Sequence, residues 1–108
     1  METQGNVEIY LNGEWGYVCD DFWGFEEAQV VCRQLGYTGA LQAVLGAYFG
    51  FGIGPVHLDD LACTGDEDRL LDCPHPGTGI HNCFFGEAAG VLCRRKCLCS
   101  MAGFGTTY

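Results

Sequence analysis

Apolar and polar positions nearly alternate along Val7-Glu8-Ile9-Tyr10-Leu11, with β-branched residues among them. That pattern predicts a strand. Asn12-Gly13 follows, the dipeptide that tolerates positive φ at both centres of a tight hairpin turn. Trp15-Gly16-Tyr17-Val18-Cys19 is the expected returning strand. The period then changes. Phe25, Ala28, Val31, Cys32 and Leu35 recur on one face of a 3.6-residue repeat, which predicts a helix over Phe25–Leu35 with those five residues facing the core. Glu26 and Glu27 fall in its first turn, where the helix dipole favours negative charge. Gly36 stands just past its end, where a left-handed residue closes helices.

Periodicity fades after the helix. Residues 39–55 are rich in Gly, Ala and aromatics and are expected to form a long loop with one short strand. Val56-His57-Leu58-Asp59 and Gly90-Val91-Leu92-Cys93 are strand-like. No internal repeat is present, so the 108 residues are read as one unit. Most of the aromatics, Trp15 and Trp23 among them, are expected in the core, because so small a domain needs bulky filling.

Eight cysteines change the picture. A domain of this size is marginal on its core alone, and disulfides are the usual remedy in an oxidising compartment. Successive cysteines lie 13, 31, 10, 10, 10, 4 and 2 residues apart, so the C-x-x-C knuckle of a zinc site is absent. Fifteen pairings of any six remain open to the sequence. No run approaches the length of a membrane span. Met1-Glu2-Thr3-Gln4 lacks the basic-then-apolar start of a leader, so the chain is expected to be a mature or excised piece of a secreted protein or of a receptor's outer part.

Charge narrows the partners. Residues 1–93 hold 14 acidic residues against Arg33 and Arg69, a balance of −12, while Arg94, Arg95 and Lys96 sit together near the end. Such a surface repels nucleic acid and anionic membranes, and meets polyanions only through a cation. Asp20-Asp21 and Asp59-Asp60 place like charges side by side. A hard divalent ion, calcium with magnesium as the second candidate, relieves that repulsion, since both take oxygen ligands. The plainer reading is a pair of solvated acidic turns. An enzyme is not expected. Ser100 is the only serine, and His75 and His81 lack the i, i+4 spacing of a metalloprotease.

Several segments resemble one family. The stretches Gly5–Asp21, Ala28–Gly36, Gly54–Cys63, Asp72–His75, His81–Cys83 and Gly86–Cys93 are similar, in order and spacing, to the scavenger receptor cysteine-rich (SRCR) domain. The resemblance implies an α+β fold, a curved antiparallel β-sheet cradling one α-helix with long loops and three internal disulfides. Tyr37 stands where the eight-cysteine form of the family has a cysteine, so the six-cysteine form is implied. Its pairing carries over as Cys19–Cys83, Cys32–Cys93 and Cys63–Cys73. The chain then divides into an N-terminal extension (1–4), the domain (5–93) and a basic, Gly-rich tail (94–108). Cys97 and Cys99 lie outside the family pattern and are read as able to join chains in a disulfide-linked oligomer.

By the same resemblance, Asp20, Asp21 and Glu87 form a first cation site, and Asp59, Asp60 and Asn82 a second. Ala88 replaces an acid often found in that segment. Phe22, Phe84 and Phe85 occupy positions commonly small or polar in the family and are candidates for ligand contact. The segment Glu8–Trp15 corresponds to one implicated in bacterial-surface recognition, although a hairpin with a buried Trp15 explains it equally. The function implied is an extracellular pattern-recognition module that binds anionic microbial or host polymers, including bacterial surfaces, through acidic calcium sites. The alternative is an interaction or spacer module for an extracellular protein, within a larger receptor, protease or oxidase.

Overall fold

A computed structural model describes residues 2–95, with the backbone alone for Glu2 and Phe85. The tail from Lys96, with Cys97 and Cys99, lies outside the described residues. Six strands and one helix follow one another as β1 (Glu2–Asn6), β2 (Glu8–Leu11), β3 (Glu14–Val18), α1 (Phe25–Gln34), β4 (Gly39–Val44), β5 (Val56–Leu58) and β6 (Gly90–Arg94). Short 3-10 turns cover Leu70–Asp72 and Phe85–Glu87.

The α+β class and the three disulfides are as the resemblance implies, and the strands divide into two three-stranded sheets. One has the order β1-β6-β4 and is antiparallel throughout. The other has the order β2-β3-β5, and its β3–β5 pairing is parallel. The hairpin between β2 and β3 turns at Asn12 and Gly13, both at positive φ (51° and 84°), as the dipeptide requires. The first strand begins at Glu2, paired with Arg94, so residues 2–4 belong to the sheet rather than to an extension. Arg94 likewise belongs to β6 rather than to the tail.

The helix packs across β4 and β6 and buries Glu27, Ala28, Val30, Val31 and Cys32. Phe25 and Leu35, expected on that face, are 50% and 64% exposed. They sit at the two ends of the helix, Phe25 as its first residue and Leu35 as its C-cap. Buried Glu27 has its charge met by main-chain donors. Its Oε1 accepts the Gly24 N–H at 3.0 Å and its Oε2 the Cys63 N–H at 2.8 Å. It thereby caps its own helix and pins the loop before Cys63. Gly36 takes φ +94° just beyond the C-cap residue Leu35.

The core is aliphatic and cystine-rich, with Trp23 and Tyr17 its two buried aromatic rings among the described residues. The Trp23 indole N–H donates to the Gly90 carbonyl at 2.9 Å, joining the loop before α1 to the start of β6. The expectation that most aromatics fill the core fails. Trp15 is 59% exposed, and Phe22, Phe25, Tyr48, Phe51 and Phe84 are exposed as well. A small domain lacks the interior volume for them. Cystine links do part of the work of a larger core. Cys32–Cys93 ties α1 to β6, Cys63–Cys73 closes the acidic loop, and Cys19–Cys83 ties the end of β3 to the loop before Glu87.

Candidate functional site

The acidic residues converge where β3 ends. The Cys19 N–H bonds to the Leu58 carbonyl at 2.9 Å, and Cys19 bridges to Ala88. The next residue, Asp20, donates its N–H to the Glu87 carbonyl at 2.8 Å. The chain then turns over Asp20–Trp23, closed by the Trp23 N–H on the Asp20 carbonyl at 3.0 Å. Within that turn Phe22 adopts φ +60°, a conformation ordinarily taken by Gly or Asn. Main-chain bonds and the adjacent Cys19–Cys83 link therefore hold Asp20 and Asp21 against the 3-10 turn that carries Glu87.

Carboxylate oxygens of Asp20, Asp21 and Glu87 lie within 4.8 Å of one another, all three half-buried. Two of these groups are already oriented. Asp20 Oδ2 accepts the Gly46 N–H at 2.6 Å, and Glu87 Oε1 accepts the Phe84 N–H at 2.8 Å. No positive side chain among the described residues is paired with them. Among the described residues the one ion pair is Arg69–Asp72, at 2.9 Å, elsewhere on the surface. Burial, followed by repulsion from Glu87, Asp60 and Asp20, raises the Asp21 carboxyl above its ordinary value.

Asp59, Asp60 and Asn82, the second expected set, are placed differently from one another. Asp59 is fully buried, whereas Asp60 is exposed at φ +54°. The Asp60 N–H meets Asp59 Oδ1 at 2.8 Å, and the Asn82 N–H meets Asp59 Oδ2 at 3.4 Å. Burial raises the Asp59 carboxyl, and those two main-chain donors work against it. The Asn82 carboxamide lies between the two expected sets. With its nitrogen toward the acids it donates to Asp21 Oδ2 at 2.8 Å and to Asp59 Oδ2 at 3.1 Å. The sets are thus neighbours in one acidic region, joined through Asn82. Asp59 acts within it as a buried peg for the loop at residue 82.

Phe22 and Phe84, 81% and 77% exposed, stand one residue from Asp21 and three from Glu87 along the chain. The Phe85 side chain lies outside the described part. Ala88 is buried opposite Cys19, and its C=O accepts the Ala47 N–H at 3.0 Å, so its methyl group offers no ligand to the acidic cluster. The other clusters of candidate ligands, around Cys19–Cys83 and Cys63–Cys73, contain cystine sulfur rather than thiolate. His57 is buried with Nε2 3.1 Å from the Glu14 carbonyl, and His75 and His81 accept nearby main-chain N–H groups through Nδ1. Sequence reasoning found the acids but missed the Asn82 bridge and the Gly46 donor, which no local pattern announces.

Comparison with known proteins identifies the family and the fold. A profile of the scavenger receptor cysteine-rich domain matches residues 1–94. The chain is an SRCR domain. It is 54% identical over 94 residues to a scavenger receptor cysteine-rich domain superfamily protein of Patiria pectinifera. That match takes in 87% of the chain and 8% of the relative's length. Among solved structures, the SRCR domain of mouse MARCO in its dimeric form superposes with a TM-score of 0.80 at 42% identity, covering 86% of this chain and 88% of that one. The third SRCR domain of murine neurotrypsin superposes at 0.77 with 51% identity, covering 83% and 84%. SRCR domains are extracellular modules, and three disulfides suit that setting. Among the described residues no helix is long and apolar enough to cross a membrane.

Proposed function

We propose that this SRCR domain is a non-catalytic, extracellular ligand-binding module in which a divalent cation links its acidic face to anionic polymers. The observation that carries the reading is the convergence of Asp20, Asp21 and Glu87 within 4.8 Å with no cationic side chain among the described residues paired to them. The donor set fits a hard ion, being oxygen only and triply negative when ionised. Calcium suits it better than magnesium, because ligands held by loops and turns supply a flexible shell rather than a tight octahedron. Asp20, Asp21 and Glu87 would hold the ion. Bound there, it supplies the positive charge toward sulfate or phosphate groups that the domain otherwise lacks. Asn82 and Asp59 position Asp21, and Asp60 adds negative potential nearby. Phe22 and Phe84 offer apolar contact beside the charged centre.

Two titrations test this. Calorimetry with calcium gives saturable heat for the wild type and none for Asp20→Ala. Retention on a sulfated polysaccharide follows calcium and is abolished by EDTA. Absence of calcium heat overturns the cation reading. Binding of a single extracellular protein that ignores EDTA supports instead an interaction or spacer module.

A further inference from the structure

Among the described residues, the second sheet leaves one side of β2 without a strand neighbour. Its hairpin closes through Leu11 opposite Glu14, so hydrogen-bonded pairs fall at Leu11 and Ile9. Main-chain groups of Glu8 and Tyr10 therefore point outward, and they meet no partner among the described residues. An open edge of this kind is a template for another extended chain. Alongside it runs a groove of about 510 Å³. Ile9, Val31, Leu35 and Leu71 line it with apolar surface, as do Tyr10 and Trp15, whose ring centroids lie 5.3 Å apart. Both faces of β2 contribute, so the groove follows the strand's edge rather than either face.

Charge selects among the extended chains that fit there. Glu8, at the groove, has no cationic partner among the described residues, whereas Arg69, which also lines it, is already paired with Asp72. We propose that the outer edge of β2 is a docking site for an extended segment of a protein partner that alternates apolar and basic residues. The segment adds as a strand through Glu8 and Tyr10, sends its apolar side chains into the groove and sets a Lys or Arg against Glu8. Four strand residues at about 3.3 Å each match a core of four to six partner residues. The surface shares no residue with the acidic cluster and needs no metal.

The test uses the full chain and a capped hexapeptide alternating lysine with leucine or valine, followed by NMR in EDTA. Expected is saturable binding with about tenfold slower hydrogen exchange at the Glu8 and Tyr10 amides, the mark of strand addition. Leu35→Lys, an exposed change that removes apolar wall and adds like charge, weakens binding about tenfold, and Glu8→Gln weakens it less. The proposal is overturned by no saturation at millimolar peptide, or by equal binding of a peptide with its lysines in one block. It is also overturned by shifts centred on Asp21 and Glu87, or by self-association of the free chain protecting the same amides.

Discussion

Removing the Cys32–Cys93 link should cost more stability than removing Cys63–Cys73, and the structure sets the difference. The first joins residues 61 apart in sequence, the second residues 10 apart. In the chain-entropy account, opening them costs about 4.3 and about 2.7 kcal/mol at 25 °C, a gap of about 1.6 kcal/mol. Burial widens the gap, since Cys32 and Cys93 are 0% and 1% exposed while Cys63 is only half-buried, and substitution in a packed core adds a cavity cost. The comparison uses Cys32→Ala with Cys93→Ala against Cys63→Ala with Cys73→Ala. Both sit in a Cys97→Ser, Cys99→Ser background so that no spare thiol exchanges. Urea unfolding should rank the long-loop variant lower, and its midpoint temperature should lie at least about 6–13 °C below that of the short-loop variant. Equal stabilities, or the reverse order, would show that loop length does not govern what these cystines contribute.

The raised carboxyls give a pH signature. Asp21 and Asp59 have folded values above 3.8, so the stability they add is present in acid and lost as pH rises through those values. In EDTA, melting temperature should therefore climb as pH falls from neutral. It should drop again near and below the ordinary carboxylate range, where Asp72, lowered chiefly by its hydrogen bond from Arg69, and Glu67, lowered chiefly by the Thr64 N–H, lose their charges. A melting temperature that only falls as pH drops from neutral would refute this. Calcium affinity, measured by calorimetry, should fall over the same acid range as protons compete for Asp21. Gly16→Ala should destabilise by about 2 kcal/mol or more, because a methyl group there meets the Pro55 carbonyl and lies 2.5 Å from the His57 ring; an unchanged urea midpoint would contradict that packing. Phe22→Gly should raise stability by about 1 kcal/mol by relieving a left-handed backbone, while weakening retention on the anionic polymer.

Local chemistry made part of this legible in advance. Asn12-Gly13 announces its hairpin, and the 3.6-residue period announces α1, because both signals lie within a few residues. The cystine pairing followed from resemblance, since spacing alone leaves it open. What stayed hidden depends on distant partners. The short strand expected within residues 39–55 has no fixed place in the sequence, and it becomes β4 at Gly39–Val44 because β6 offers its ladder far along the chain, Gly39 pairing with Arg94 and Val44 with Gly90. The parallel docking of β5 on β3 is likewise a long-range event. Phe25 and Leu35 satisfy the helical repeat yet are exposed, as periodicity cannot say whether other elements cover the two ends of a helix. Glu27 and Asp59 look like surface acids until the N–H groups of Cys63, Asp60 and Asn82 close over them. The six residues assigned to cation binding lie in one region, but their division into two separate sites missed the Asn82 carboxamide between Asp21 and Asp59.

The Cys19–Cys83 staple has an evolutionary consequence. On one side of it lie Asp20, Asp21 and Phe22, and on the other Asn82 and Phe84. Side chains that face outward beside a covalent anchor are free to vary, because the anchor, not they, keeps the two segments together. Exposed Phe22 and Phe84 are such replaceable letters. Duplicated copies of the domain can therefore diverge in taste while their architecture stands still.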